Sequence, residues 1–492
     1  MPKVIQTIGV WSLALLFLFL TLIYKRDMQS LPFFCALAFI SLIMIFHSTI
    51  YKHFILSVKY KALLVFFMTF FSRLFYLVCM RNQIAQISDF HTTLHYAQTG
   101  TYTENIIYYS HFPHKLVYPL FLHSMGLNTQ AKILMFQVIC VSLIALSIYS
   151  IGKMMFSEQT GFFASLLYIF WPSQIVYTSI ISEEHLGGLL TLSCFILIFV
   201  VQKKNKMKTP PPDHFYTLKT FAAYSLCGIL CGLCVFFKDW CVIVLIASFI
   251  TGILYINRFY RREIMCIAIG FILLLSFRSI TKQFITNSIE SILDVNVNDN
   301  TIPCYMYVSL HPQNSGAWNP DRYNEYFSFV SENNFDYDKA NKIALEKLKD
   351  LIEDSPDYLV TLIPLKIYDA YHDNEHMFFC AYIAMNEENQ IAFKNFFDCL
   401  HTVDYIYYTI IILLVFASFF INLKRKSPKV FWLHLIIIGG ILLVIFIESQ
   451  SRYKYSIQPF WCVLSGFSLE MICHTLNQIK GHNSTNENKT YF

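Results

Sequence analysis

The sequence predicts an all-α polytopic membrane protein of about twelve transmembrane helices, with an α or α/β subdomain in one long loop. Three observations predict it. Charged residues are only 14% of the 492 and hydrophobic ones are 55%, whereas soluble domains carry about 25% charged residues. The apolar residues gather into blocks of about 18 or more, enough to cross a hydrocarbon core roughly 30 Å thick. Lys and Arg cluster at block ends, so the net charge of +5 reports sidedness and gives no sign of nucleic-acid binding.

Two extra helices open the chain within residues 1–60, near 7–24 and 31–50. The first, "MPKVIQTIGVWSLALLFLFL", lacks a small-x-small cleavage site and runs into "TLIYKRD", so it reads as a retained helix. A transmembrane core over 61–280 follows, with spans near 62–80, 130–152, 161–179, 186–201, 219–237, 240–257 and 264–280. A polar loop fills 281–403, and the last spans, near 404–422, 430–448 and 455–475, make up 404–475. The tail 476–492, containing "GHNSTNENKT", is polar enough to be expected disordered and cytoplasmic.

Basic residues orient these spans. With both termini cytoplasmic, the inner loops hold Lys52, Lys59, Lys61, Lys153, "KKNKMK" at 203–208, "RFYRR" at 258–262 and "KRKSPK" at 424–429. The outer turns hold little beyond Lys25, Arg26, Arg81, Lys115 and Lys238. The loops 81–129 and 281–403 are then extracytoplasmic. In the second, Ile343, Leu345, Leu348, Leu351 and Ile352 recur at helical spacing, with Asp338 as N-cap and Pro356 as stop. Most cysteines lie in apolar blocks, where a free thiol behaves as a small hydrophobe. Cys304, Cys380 and Cys399 fall in the hydrophilic loop and read as free thiols, with a disulfide among them as the alternative.

An ionisable side chain in a membrane segment costs roughly 2.5–3.5 kcal/mol on insertion scales and is a functional candidate by default. Here such groups sit at one level. Asp89 follows the span at 62–80. "SEEHL" supplies Glu183, Glu184 and His185. "FFKDW" supplies Lys238 and Asp239. "FIESQSRYKYSIQPF" supplies Glu448, Arg452, Tyr453 and Lys454. Arg73 lies about 10 Å inside its span at 1.5 Å per residue and would snorkel to headgroups or pair with a carboxylate. Each turn alone reads as a solvated turn, and His91, His95 and His185 as hydrogen-bonded interface histidines. Together they suit transfer of a sugar from a lipid-linked phosphate. Asp89 would take the acceptor hydroxyl's proton, while Lys238 and Arg452 would stabilise the phosphate as it leaves.

Several stretches resemble the GT-C superfamily of membrane glycosyltransferases, in particular the bacterial relatives of protein O-mannosyltransferases and of the lipid A aminoarabinose transferase. The stretches are "FFSRLFYLVCM", "SDFHTTLHYAQTGTY", "FPHKLVYPLFLHSMGL", "WPSQIVYTSIISEEHLGGLL", "CGILCGLCVFFKDW" and "ESQSRYKYSIQPFWCVLSG", in the family's order over roughly 62–470. The resemblance implies an inverting transferase in the cell membrane, using a polyprenyl-phosphate sugar donor. It implies an envelope glycan, lipid or protein acceptor on the extracytoplasmic side. Asp89 becomes the catalytic base, Glu183 or Glu184 the second acidic site, and Lys238, Glu448, Arg452 and Tyr453 the donor-phosphate group. His91, Tyr96 and His185 become candidate substrate contacts. Asp89, Glu183, Glu184 and His185 are also ligand types for a divalent metal, though no spacing specifies a site. The pattern departs in places: Phe90 stands where many relatives carry a second carboxylate, "FFKDW" replaces Arg-Pro, and the first two spans are extra. A transporter or flippase for lipid-linked saccharide is the competing class, as is an oligosaccharide transferase or polymerase using a lipid-pyrophosphate donor. Transporters show internal repeats and broken helices meeting near mid-membrane, whereas this chain shows no evident repeat and its charges lie at the outer edge.

Overall fold

The computed structural model describes residues 60–80, 84–101, 106–205, 214–255, 261–298, 300–311 and 316–487. The expected spans at 7–24 and 31–50 lie outside them. Every regular element among the described residues is helical. The long loop is therefore α rather than α/β over those residues.

The chain runs α1 (Lys61–Cys79), α2 (Ser88–Thr99), α3 (Ile106–His111), α4 (His114–Ser124) and α5 (Gln130–Met155). Next come α6 (Glu158–Ile169), α7 (Pro172–Val176), α8 (Glu184–Asn205), α9 (His214–Cys234), α10 (Cys241–Tyr255) and α11 (Arg261–Leu293). The loop region forms α12 (Ile302–Ser309), α13 (Pro320–Glu332), α14 (Tyr337–Asp354), α15 (Tyr358–Tyr371) and α16 (Glu375–Ile383). The chain returns through α17 (Glu387–Arg425), α18 (Pro428–Phe446) and α19 (Gln458–Glu487).

Six of these are long and apolar enough to cross a membrane: α1, α5, α8, α11, α17 and α18, while α9 and α10 carry shorter apolar stretches. About twelve spans are thus not reached among the described residues. One reason is local. The expected span at 161–179 is broken into α6, α7 and a 3-10 turn at Tyr177–Ser179, because Pro172 has no N–H to donate and forces Trp171 out of the helical region; Trp171 sits at ψ 113°. The break leaves carbonyls at the end of α6 without helical partners. Arg73, fully buried on α1, supplies them: it donates to Tyr168 O at 2.9 Å and to Ile169 O. Buried as it is, it does not snorkel, and among the described residues it pairs with no carboxylate. Its side chain caps a broken helix.

The expected boundaries at 280/281 and 403/404 fall inside helices. α11 has 33 residues and α17 has 39, about 50 and 58 Å at 1.5 Å per residue, so both continue past the bilayer into the loop region. Hydropathy marks only the part in lipid. The last helix likewise continues to Glu487, where a disordered tail was expected from 476. Extending an existing helix fixes one residue per bond gained and needs no new nucleus.

In the bundle, α5 packs along α1, α6 and α8, and α19 along α6 and α17. The loop region has its own core, in which Tyr307, Tyr326, Phe329, Tyr337 and Leu348 meet. α14 is capped by Asp336, whose side chain accepts from Lys339 N at 3.1 Å, and not by Asp338. Of its expected apolar face, Leu348 is buried, whereas Leu345 is 40% exposed.

Two buried lysines tie this region to the loop between α18 and α19. Lys366 on α15 donates to Ile447 O at 2.7 Å and to Ser309 Oγ at 2.9 Å. Lys454 donates to Ala370 O at 3.0 Å. The segment containing Glu448 and Arg452 is thereby held at both ends.

Candidate active site

Five chain segments meet at one end of the bundle: the starts of α2, α4 and α8, the turn between α9 and α10, and the loop between α18 and α19. Two of them carry non-glycine residues with positive φ, Ser88 at 48° and Lys238 at 92°. Such conformations cost roughly 1–3 kcal/mol and persist where the surroundings impose them. The approach is tight. A Cβ on Gly187 in α8 would lie 1.9 Å from Phe237 O, so only glycine lets the first turn of α8 close on the turn bearing Lys238.

Lys115, in the first turn of α4, is the hub. Its ammonium lies 3.2 Å from Asp89 Oδ2 and 3.1 Å from Glu183 Oε1. Tyr108 on α3 donates to Asp89 Oδ1 at 3.3 Å. Beside this, Lys238 lies 3.5 Å from Glu184 Oε1, and Glu184 accepts from the hydroxyls of Tyr177 and Ser182. Lys238 also stands 4.6 Å over the ring of Tyr453, whose hydroxyl donates to Glu448.

Arg452 closes the group. Its guanidinium stacks on Phe90 at 5.7 Å and on Tyr453 at 5.4 Å, and its Nε donates to Gln450 Oε1 at 2.6 Å. No carboxylate lies within 4 Å of it among the described residues. Phe90, which stands where relatives of the resembled family carry a second acid, is here the platform for this cation.

Electrostatics divide the carboxylates. Lys115 holds Asp89 below the usual carboxylate range, against burial, with Arg452 helping. Burial would deprotonate Lys115, but Glu183 and Asp89 outweigh it and keep the ammonium charged. Burial also favours a neutral Glu183, yet Lys115 and Lys238 hold it ionised. Burial lowers His114 to about 3, and Lys115 adds to the effect, so this histidine is neutral. Of the two carboxylates on Lys115, Asp89 is 37% exposed and Glu183 only 5%. An incoming hydroxyl can reach Asp89; Glu183 serves to anchor Lys115. The arrangement offers one accessible ionised carboxylate beside two cations, the groups a proton transfer and a departing phosphate need.

The structure brings together Asp89, Glu183, Glu184, Lys238, Glu448, Arg452 and Tyr453. It does not bring in three others. His91 lies on the exposed side of α2 and stacks on His95. Tyr96 is buried edge-on to Tyr109 in a separate apolar cluster. His185 is buried, and its Nδ1 is bonded to Tyr455 OH at 2.7 Å. Asp239 turns away to Arg278. Sequence reasoning missed Lys115 and Tyr108 as site residues; a lone lysine on the outer side, facing two acidic turns, was the available signal.

Among the described residues, Asp89, Glu183, Glu184 and His185 do not form a metal-ligand group; His372, Asp373 and Glu375 do, as do two buried cysteine sets sharing Cys194. Most of the membrane cysteines are free and buried in the apolar core, as small hydrophobes would be. Cys227, Cys231 and Cys234 form C-x3-C-x2-C, and Cys231 Sγ lies 3.5 Å from Cys194 Sγ. Cys304, Cys380 and Cys399 are all free.

No family model matches the chain, and no curated protein does. Solved structures match in part. The oligosaccharyltransferase of Archaeoglobus fulgidus tethered to an acceptor peptide containing the NVT sequon is 13% identical, with a TM-score of 0.48 over 86% of this chain and 51% of that one. The archaeal oligosaccharyltransferase AglB from Archaeoglobus fulgidus, in complex with an inhibitory peptide and a dolichol-phosphate, is 14% identical, with a TM-score of 0.47 over 87% and 52%. The chain spans about half the length of the solved chains it matches, and a likeness this partial carries no inference about activity.

Proposed function

We propose that this membrane protein is an inverting GT-C glycosyltransferase, moving a sugar from a polyprenyl-phosphate donor to an extracytoplasmic acceptor. The observation that carries the reading is the pairing of an accessible carboxylate, Asp89 on Lys115, with Arg452, whose guanidinium stacks on Phe90 and has no carboxylate within 4 Å among the described residues. The sequence resemblance to the superfamily supports the same assignment, and the distribution of Lys and Arg supports the side.

In the step, Asp89 accepts the proton of the acceptor hydroxyl as that oxygen attacks the anomeric carbon. The bond from that carbon to the phosphate oxygen breaks, and its electrons leave with the polyprenyl phosphate. Arg452 and Lys238 stabilise the charge on that phosphate, Arg452 through up to two parallel N–H bonds. Lys115 keeps Asp89 ionised at neutral pH and remains anchored by Glu183 once Asp89 is protonated. Tyr453, held by Glu448, carries both cations on its ring face.

The test is a defined-donor assay in proteoliposomes. Glycosylated acceptor and free polyprenyl phosphate should form from a polyprenyl-phosphate sugar. Movement of lipid-linked sugar across the bilayer without transfer, or transfer only from a pyrophosphate-linked donor, would overturn the reading.

A further inference from the structure

A second constellation lies behind the loop that carries Arg452. A cleft of about 270 Å³ opens between the end of α15, the start of α16 and residues 449–451, lined by His372, Asp373, Glu375 and Ser449 among others. One donor atom from each of His372, Asp373 and Glu375 falls within 4.8 Å of the others.

The histidine is preset for a cation. Its Nδ1 lies 3.0 Å from Tyr368 O, and a carbonyl only accepts, so Nδ1 carries the proton and the neutral ring turns the lone pair of Nε2 the other way. That nitrogen is 2.8 Å from Asp373 Oδ2. Two acceptors at this separation need a second proton on the ring or a cation shared between them. A histidine that gives its other N–H to a backbone carbonyl is the arrangement that orients metal ligands. Asp373 is fixed as well, since its Oδ1 accepts from Glu375 N at 2.9 Å. Glu375 is exposed and free to swing inward. Ser449, only 7% exposed, also lines the cleft, and its buried hydroxyl has no hydrogen-bond partner among the described residues.

We propose that His372, Asp373 and Glu375 bind a divalent cation of the zinc or manganese class, with its remaining positions open to the cleft. One imidazole and two carboxylates suit such ions better than they suit a soft metal. The cleft adjoins the candidate active site through Gln450, which holds Arg452, and through Ser451, which accepts from His376 N at 3.0 Å. Its occupation stands on this geometry and does not depend on the transferase reading.

The test uses full-length protein in detergent, stripped with chelator and titrated with Mn²⁺ by the loss of the free-ion electron paramagnetic resonance signal, with Zn²⁺ as competitor. One equivalent should bind. Glu375→Gln, at an exposed position, and His372→Ala should each weaken binding at least tenfold, the scale on which ligand-shell changes act. Asp89→Asn should leave binding intact. No binding up to about 1 mM, the weak end of biological sites, would overturn the proposal. So would binding indifferent to Glu375→Gln and His372→Ala, or binding lost in Asp89→Asn. Metal binding is read without any transfer assay, so a failure here is distinct from a failure of the proposed activity.

Discussion

Replacing Lys115 by Gln removes the cation that stands 3.2 Å from Asp89 and 3.1 Å from Glu183. At the first distance two unit charges attract by roughly 1.3 kcal/mol in water and by roughly 5 kcal/mol at an effective dielectric near 20. Asp89 is 37% exposed, so solvent screening moves the value toward the lower end, about 1.5–3 kcal/mol. The sign is fixed by which form the cation favours. Lys115 favours ionised Asp89, so its loss raises the carboxylate's proton affinity, and the nearby charge of Glu183 acts in the same direction. The base must be ionised to work. As pH falls, Lys115→Gln should therefore lose activity at a higher pH than wild type. The assay is the initial rate of sugar transfer in proteoliposomes from about pH 4 to pH 8, the range in which a carboxylate base titrates. Lys115→Arg should keep the acid limb close to that of wild type. An unmoved limb in folded, inserted Lys115→Gln would refute the coupling between Lys115 and the base.

Arg452→Ala should raise the KM for donor or lower turnover by about 10- to 100-fold, the equivalent of one or two charged hydrogen bonds; an unchanged kinetic profile would remove Arg452 from the phosphate. Arg73→Leu should lower stability by roughly 1–3 kcal/mol, since it strands the buried Ile169 carbonyl and leaves Tyr168 O with only a long bond from Trp171 N. Denaturant unfolding in detergent checks this, and wild-type stability would contradict the capping role.

Much of the site could be read in the sequence because membrane proteins place charges sparingly. Asp89, Glu183, Glu184, Lys238 and Arg452 all stand at block ends, and the bilayer confines block ends to two levels. Pairing within one level was not legible. Lys115 is 26 residues from Asp89 and 68 from Glu183, and no local spacing links them. Counted for sidedness alone, it looked like one more outer lysine. Arg73 was opaque for another reason: its partners are backbone carbonyls, which every residue has, and only the break at Pro172 opens these two to a side-chain donor. His91 and His185 fit the bland expectation of hydrogen-bonded or exposed histidines better than that of substrate contacts. The helix cap moved from Asp338 to Asp336 because the two acids lie two residues apart, and only tertiary packing of Tyr337 settles where the turn begins. Hydropathy gave the positions of α1, α5, α8 and α18 closely. It could not see that α11 and α17 extend beyond lipid, since helical backbone continues regardless of the medium.

The most direct measurement compares wild-type and Asp89→Asn protein in proteoliposomes supplied with a polyprenyl-phosphate sugar and acceptor. The amide is isosteric and keeps the hydrogen bond from Tyr108, yet cannot take the acceptor's proton. Asp89→Asn should insert and fold as wild type does and lose transfer by about 100-fold or more, the scale of a positioned general base. Transfer at the wild-type rate in that variant would contradict a carboxylate base at this position.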